Sequence, residues 1–403
     1  MKYYPYLIIG GGMTAHAAVQ GIREVDKTSM IGLFSLEKYQ PYSRPPLTKG
    51  LWKGKPLDKI WLKHLDLKVE LYLGQRITAL DIQNKQAQNE KGDIFGYDKL
   101  LLATGGKTRQ LPFGDGQFTY FRSLDDYKKL RSLTGQGKHF VIIGGSFIGS
   151  ELAAALAMNG EKATLIFPDP GLGEHIFPDD LAIFLNDYYR QKGVEVLPDT
   201  RVTAVDEQSG FLKISTDRGA TIQADHVVAG IGILPNSDLA ETAGLTVDDG
   251  IVVNEYLQTS QPDIYAAGDV AAFYNPSLGT RMRVEHEDNA LKMGKLAGKN
   301  MALLKTGGQP LPYHHLPYFY SDLFDLGYEA VGELNPQYEI FSDWQEPYHK
   351  GVVYYLNEKR VRGVLLWNVW GQVEAARSLI AEPGPITARD LKAGLHLMNV
   401  GSD

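Results

Sequence analysis

At 403 residues the chain exceeds the size at which one hydrophobic core stops growing, so two or three domains are expected. Hydrophobic residues at 43% and charged residues at 22% fit a globular protein, and a formal net charge of -7 argues against wholesale nucleic-acid binding. The chain has no cysteine, which removes disulfides, thiolate-held zinc or iron-sulfur clusters and any dithiol relay, so redox chemistry would have to use a bound cofactor.

The first apolar run, Tyr6-Leu7-Ile8-Ile9, lacks the basic flank and length of a signal peptide, and no run approaches the roughly 20 apolar residues of a membrane span. A cytoplasmic protein without an integral membrane segment is expected. That run reads as a buried parallel strand, followed by the turn Gly10-Gly11-Gly12, a helix from about Met13 to Glu24 and a second strand from Met30 to Phe34. The Pro- and Lys-rich segment Pro41 to Lys55 has no sustained period and reads as a long functional loop. The same device then recurs as the strand Phe140 to Ile143, a glycine-rich turn, a helix from about Phe147 to Asn159 and the strand Ala163 to Phe167. Asp225 to Gly232 is again strand-like, and Ile264 to Ala267 runs into Gly268-Asp269. From about Tyr313 the pattern becomes aromatic and alternating, with Gly351 to Leu356 and Arg362 to Trp367 read as antiparallel strands of a C-terminal α+β domain.

Gly10, Gly12 and Ala15 fit the Gly-x-Gly-x-x-Ala form that lets a pyrophosphate approach a helix N-terminus. Glu37 falls about 20 residues later, where a carboxylate accepts hydrogen bonds from a ribose. In the second copy Gly144, Gly145 and Gly149 are kept, but Ser146 replaces the second glycine and its Cβ could hinder the pyrophosphate. Asp169 lies about 20 residues beyond Gly149, and an acid there repels a 2′-phosphate and favours NADH over NADPH. The alternative for this copy is a degenerate domain that binds nothing. Taken without context, Lys49 and Glu151 read as surface charges, Phe147 as core and His286 as a satisfied structural group. Lys49, Lys53, Lys55, Lys59, Lys63 and Lys68 form a basic run, read either as a solvated face or as a dock for an acidic ferredoxin.

The chain resembles the apoptosis-inducing-factor and ferredoxin-reductase branch of the flavoprotein disulfide-reductase-like family. The resemblance rests on Arg44 to Lys49 (RPPLTK), Leu102 to Gly106 (LATGG), Gly145 to Glu151 (GSFIGSE), Ala266 to Asp269 (AAGD), Val284 to His286 (VEH) and Phe319 to Asp322 (FYSD), in order along nearly the whole chain. It implies a glutathione-reductase-like α/β fold of two Rossmann-like domains plus the C-terminal α+β domain. Residues 1–115 and 247–312 would form the FAD domain, 116–246 the NAD domain and 313–403 the last domain.

The resemblance also implies site residues. Gly10, Gly12, Ala15, Glu37, Arg44, Thr104, Gly105, Gly268, Asp269, Glu285, His286 and Tyr320 would meet FAD. Asp269 would hold the ribityl chain, Arg44 the pyrophosphate, and Lys49 would set an ammonium near flavin N5, paired with Glu151. Gly144, Ser146, Phe147, Ile148, Gly149, Glu151, Asp169 and Gly232 would meet NAD. Lys49, Glu151, Phe147 and His286 would be the catalytic group, with Phe147 covering the nicotinamide face of the flavin and His286 near the flavin edge at a helix start. Tyr320 stands where relatives often carry Trp. No metal site is read. The implied activity is hydride transfer from NADH to FAD and electron delivery to a ferredoxin, rubredoxin or quinone. The alternative is a redox-sensing binding protein with slow NADH oxidation and an NADH-linked homodimer.

Overall fold

The strands on either side of the first glycine turn form as the apolar pattern predicts, and their register shows why distant motifs meet. In the computed structural model, which describes residues 1–63, 67–114, 116–387 and 390–391, the chain divides into two compact units. One comprises Met1–Pro46, Lys55–Lys107 and Ile233–Pro317; the other comprises Leu47–Gly54, Thr108–Gly232 and the chain from Tyr318 onward. The end of the expected C-terminal domain, 392–403, lies outside the described residues.

In the first unit the strand Lys2–Ile9 pairs in parallel with Ile31–Ser35 on one side and Ile94–Leu102 on the other, and Ile264–Ala266 pairs in parallel with Ile94–Leu102. Ile9 is level with Leu102, and Leu102 with Ala266. The turns that follow these strands, at Gly10, Thr104 and Gly268, therefore emerge at one edge of the sheet, the carboxyl edge where open α/β sheets bind ligands. Leu7, Ile8, Leu33, Leu100 and Leu101 are fully buried, as strands covered on both faces require.

The helix Met13–Val25 lies against Glu287–Lys305 in this unit. Three glycines make that contact one of backbone on backbone: a Cβ on Gly21 would overlap the carbonyl of Lys295, one on Gly294 that of Thr14, and one on Gly298 that of Ala18. Ala15 is buried on the same helix.

The second unit holds an all-parallel sheet in the order Val194–Leu197, Lys162–Ile166, His139–Ile143, His226–Ala229, Phe118–Tyr120. The C-terminal strands Lys350–Asn357 and Arg360–Trp367 pair antiparallel, as their alternation implies, inside a five-stranded sheet. A three-stranded antiparallel sheet, Val202–Gln208, Phe211–Thr216 and Thr221–Ala224, completes the unit.

The segment Pro41 to Lys55, read from its sequence as a loop, carries two short 3₁₀ turns, Pro45–Leu47 and Gly50–Lys53. Proline fixes the helical φ at the start of the first, and Gly54 at φ 86° stops the second. The second turn is anchored by Trp52, whose indole donates to the Leu47 carbonyl at 2.7 Å and packs edge-on against Tyr127. Among the described residues no helix is long and apolar enough to cross a membrane.

Because the helix pair has no room for a side chain, Gly298→Val is expected to cost about 1–3 kcal/mol or more through overpacking. A lowered denaturation midpoint of the purified protein is the check; an unchanged midpoint would mean the helices can separate freely.

Candidate functional site

Among the described residues, two α-helices begin with neither a side-chain cap nor an acid in the first turn. Gly12 caps Met13–Val25 and Ser146 caps Phe147–Met158; neither supplies a side-chain cap bond, and neither first turn contains an acid. By contrast Leu124–Ser132 opens with a full capping box and Asp179–Gln191 with two aspartates. Uncapped helix ends at the carboxyl edge of parallel sheets are anion sites, and these two are the Gly-rich turns predicted to take pyrophosphates.

At the first turn Gly10 has φ +122°, and a Cβ on it would overlap the Ala103 carbonyl oxygen. A Cβ on Gly12 would meet nothing within 4 Å, so the chain leaves open space on the ligand side of the turn. Gly268, at φ +77°, presses against the Thr14 side chain in the same way and brings Asp269 beside this helix start. The Thr104-Gly105 turn is locked to Asn236: Thr104 Oγ1 donates to its carbonyl at 2.8 Å, and its amide donates back to the Thr104 carbonyl at 2.9 Å. This cradle fits FAD: an uncapped helix end for the pyrophosphate, acids at Glu37 and Asp269 for hydroxyls, and a cation bound to Glu37.

That cation is Arg44. Its Nη2 lies 2.5 Å from Glu37 Oε1, and Tyr42 donates to Glu37 Oε2 at 2.6 Å. Burial alone would lower the Arg44 pKa, but Tyr42, Glu37 and the field of Asp269 raise it above the ordinary value, so the guanidinium stays charged. A carboxylate has about four acceptor positions, so Glu37 keeps capacity for a ribose beside these two donors. Glu285 is turned to Arg283, 2.6 Å away, and the same guanidinium bonds the Asp269 carbonyl at 3.1 Å. Arg283, which links two of the expected FAD residues, carries no motif signal of its own.

His286 caps the helix Glu287–Lys305, as expected of a residue at a helix start. Burial pushes its pKa down to about 4 against the opposing fields of Asp269 and Asp288, so it is neutral at pH 7. The first turn of that helix carries Glu287 and Asp288, of which Asp288 is bound by His315 at 2.5 Å. Any positive potential there comes from the helix end, set against two acids, and not from an imidazolium.

In the second unit Gly144 has φ +119°, and its Cβ would overlap the Gly230 carbonyl oxygen, as Gly10 does with Ala103. Gly145 is pressed on the Phe167 ring and Gly149 on the Gly144 carbonyl, so neither can be enlarged. Ser146 adopts φ -103° and ψ -164°, close to the -92° and -168° of Gly12, and is exposed. Its hydroxymethyl therefore stands where the first turn is open. Asp169 is half-buried three residues beyond the strand Lys162–Ile166, 3.5 Å from the exposed His175. Ile148 is half-buried just inside the helix, and Gly232, at φ +89°, accepts from the Arg109 amide at 3.0 Å. The Phe147 ring meets Phe319 edge-on at 5.3 Å.

The lysine predicted to work with Glu151 does meet it: Lys49 Nζ is 2.6 Å from Glu151 Oε1. Glu151 is only 4% exposed, which overrides its bare reading as a surface charge. Two hydroxyls, Thr48 Oγ1 and Ser321 Oγ, each donate to the same carboxylate at 2.5 Å, and the Lys49 ammonium sits 5.2 Å from the Tyr320 ring centroid. Thr48 and Ser321 lie inside quoted motifs, yet nothing local marks them as partners of a residue more than a hundred positions away.

Residues 4–294 match the family model described as pyridine nucleotide-disulphide oxidoreductase, and residues 334–382 match that described as apoptosis-inducing factor, mitochondrion-associated, C-terminal. The chain is 37% identical to apoptosis-inducing factor 1, mitochondrial, of Dictyostelium discoideum, over 94% of this chain and 79% of that protein. It is 32% identical to monodehydroascorbate reductase 3 of Arabidopsis thaliana, over 91% of this chain and 89% of that one. Among solved structures it is similar to a chain of the covalent putidaredoxin reductase-putidaredoxin complex, with a TM-score of 0.87, 28% identity and coverage of 97% and 98%.

Neutral His286 yields a pH prediction. Its folded pKa lies below the unfolded value of about 6.5, so its neutral form stabilises the fold fully above that pH, and the contribution is lost as pH falls toward 4. His286→Gln is expected to flatten the fall of melting temperature between pH 6.5 and 4. A slope identical to that of the unaltered protein would show that His286 protonates freely in the fold.

Proposed function

The chain belongs to the pyridine nucleotide-disulphide oxidoreductase family, and from that premise we propose that it takes hydride from NADH onto FAD and passes electrons to a separate one-electron acceptor protein. It is an NAD(P)H-dependent flavoprotein oxidoreductase whose cofactors are FAD and a nicotinamide dinucleotide. The observation that carries the proposal is the pair of uncapped, acid-free helix starts behind glycine turns, one in each unit. Bound FAD supplies a two-electron centre that accepts hydride and gives up electrons to an acceptor.

The chain's own groups divide the work. Gly12 and the first N–H groups of Met13–Val25 receive the FAD pyrophosphate, with Arg44 as counter-charge; Glu37 takes the ribose and Asp269 the ribityl hydroxyls. Thr104 and Gly105 form the adjoining wall. Lys49, held by Glu151, presents a fixed positive charge at flavin N5 and stabilises the added electron density. In the second unit the helix start behind Gly144, Ser146 and Gly149 would receive NADH, Asp169 would hold its adenosine ribose, and Phe147 would cover the nicotinamide face of the flavin. Without cysteine a dithiol step is unavailable to this chain, despite the family's descriptive name.

For the acceptor, a ferredoxin is favoured by similarity to the putidaredoxin reductase complex and by a basic surface. Of the six lysines in the run, Lys49 is held by Glu151 and Lys53 lies 3.0 Å from Asp322, while Lys55, Lys59, Lys63 and Lys68 are exposed. An acidic partner would be steered to such charges. The match of residues 334–382 to the apoptosis-inducing-factor C-terminal model favours a second reading, a redox sensor with slow turnover and NADH-linked dimerisation.

Anaerobic stopped-flow reduction by NADH, followed by reoxidation with ferredoxin, separates these readings. Fast reduction and fast reoxidation support the reductase. A persistent long-wavelength band that resists air, with a dimer formed on NADH addition, supports the sensor. Asp169→Ala is expected to lower the ratio of NADH to NADPH efficiency about tenfold or more, as loss of a like-charge repulsion and a ribose bond implies. An unchanged ratio would remove Asp169 from coenzyme choice.

A further inference from the structure

The Lys49–Glu151 pair is built more elaborately than an ion pair needs. Glu151 lies in the first turns of Phe147–Met158, and its two oxygens are treated differently. Oε1 takes Lys49 Nζ at 2.6 Å and Ser321 Oγ at 2.5 Å, while Oε2 takes Thr48 Oγ1 at 2.5 Å. A buried carboxylate with one cation is left with unmet acceptor positions and costs more to bury than the pair returns. Here two hydroxyl donors supply the missing bonds.

Both hydroxyls come from rigid surroundings. Ser321 is fully buried in the strand Tyr318–Leu323, in register with Tyr328 of the neighbouring strand. Burial and the Glu151 charge push the Tyr328 pKa well up, so its hydroxyl remains protonated beside Ser321. Thr48 is buried between the two 3₁₀ turns that Trp52 pins, and the Arg131 guanidinium lies 5.2 Å from the Trp52 ring. The carboxylate is thus tied to a sheet on one side and to an anchored turn on the other. Lys49 has three N–H donors, and the contacts with Glu151 and Tyr320 leave the others available.

We propose that Ser321 and Thr48 are positioning residues: they fix Glu151 so that Lys49 presents its ammonium to the flavin in one geometry. The inference rests on the assignment of Lys49 to flavin N5 made above. Without the Ser321 hydroxyl, Glu151 loses one of the bonds that fix its orientation and no longer holds Lys49 in one geometry. A displaced ammonium makes the field at the ring less positive and disfavours electron uptake.

Dye-equilibrated potentiometry of the FAD-loaded protein tests this, with melting temperatures measured in parallel. Ser321→Ala is expected to shift the flavin reduction equilibrium about three- to tenfold toward the oxidised form, roughly 14–30 mV at 29.6 mV per tenfold for a two-electron couple. Ser321→Thr, which keeps the hydroxyl, should stay within about twofold. Thr48→Val should move the potential in the same direction and carries the test if Ser321→Ala does not fold. Lys49→Ala should shift it further, and adding Ser321→Ala to Lys49→Ala should change nothing more. An unchanged potential in Ser321→Ala and Thr48→Val, with Lys49→Ala still shifted, overturns the positioning role alone. A Ser321→Ala shift that survives intact without Lys49 means the serine acts by another route. No shift in Lys49→Ala removes the N5 assignment itself.

Discussion

A missing Cβ at the end of a parallel strand sets the geometry from which both glycine turns follow. Gly10 and Gly144 turn with φ near +120°, and each lies so close to a neighbouring carbonyl, Ala103 or Gly230, that any side chain would force the strands apart. That close approach lets the next helix start directly above the strand end. Its first amide groups then project outward, with no side chain folded back to satisfy them. The helix ends keep unsatisfied amides because Gly12 has no side chain and Ser146 makes no cap bond.

The charged residues near these turns are held in pairs. Arg44 is held by Glu37, Arg283 joins Glu285 to the backbone of Asp269, and Lys49 is held by Glu151. Removing one member of such a pair leaves an uncompensated charge in poor solvent, so each pair behaves as a unit. The two turns differ in one respect. The first is open at Gly12, whereas Ser146 places a hydroxymethyl at the matching position of the second.

Much of this was legible in sequence because its signals are local. Apolar runs ending in glycine, the spacing to Glu37 and Asp169, and the repeat of the whole device need only a few tens of residues to be read. The C-terminal antiparallel strands were legible from alternation alone. What escaped reading is non-local or carries no type preference. Ser321 and Thr48 are ordinary hydroxyls whose partner lies far along the chain, and Arg283 looks like any exposed basic residue until the turn after Gly268 comes beside it. Pro41 to Lys55 lacks a period because 3₁₀ turns of three or four residues are too short to show one. The pairing of Glu37 with Arg44 is likewise a matter of side-chain reach, not spacing.

The backbone contact between Met13–Val25 and Glu287–Lys305 bears on synthesis as well as stability. The first helix leaves the ribosome more than 250 residues ahead of the surface it fits, a delay of roughly 13–50 s at translation rates of about 5–20 residues per second. During that interval Thr14, Ala18 and Gly21, which meet the second helix backbone to backbone, have no glycine-lined partner to cover them. The nascent chain therefore carries an unpaired helix face of small residues until the second helix has been made.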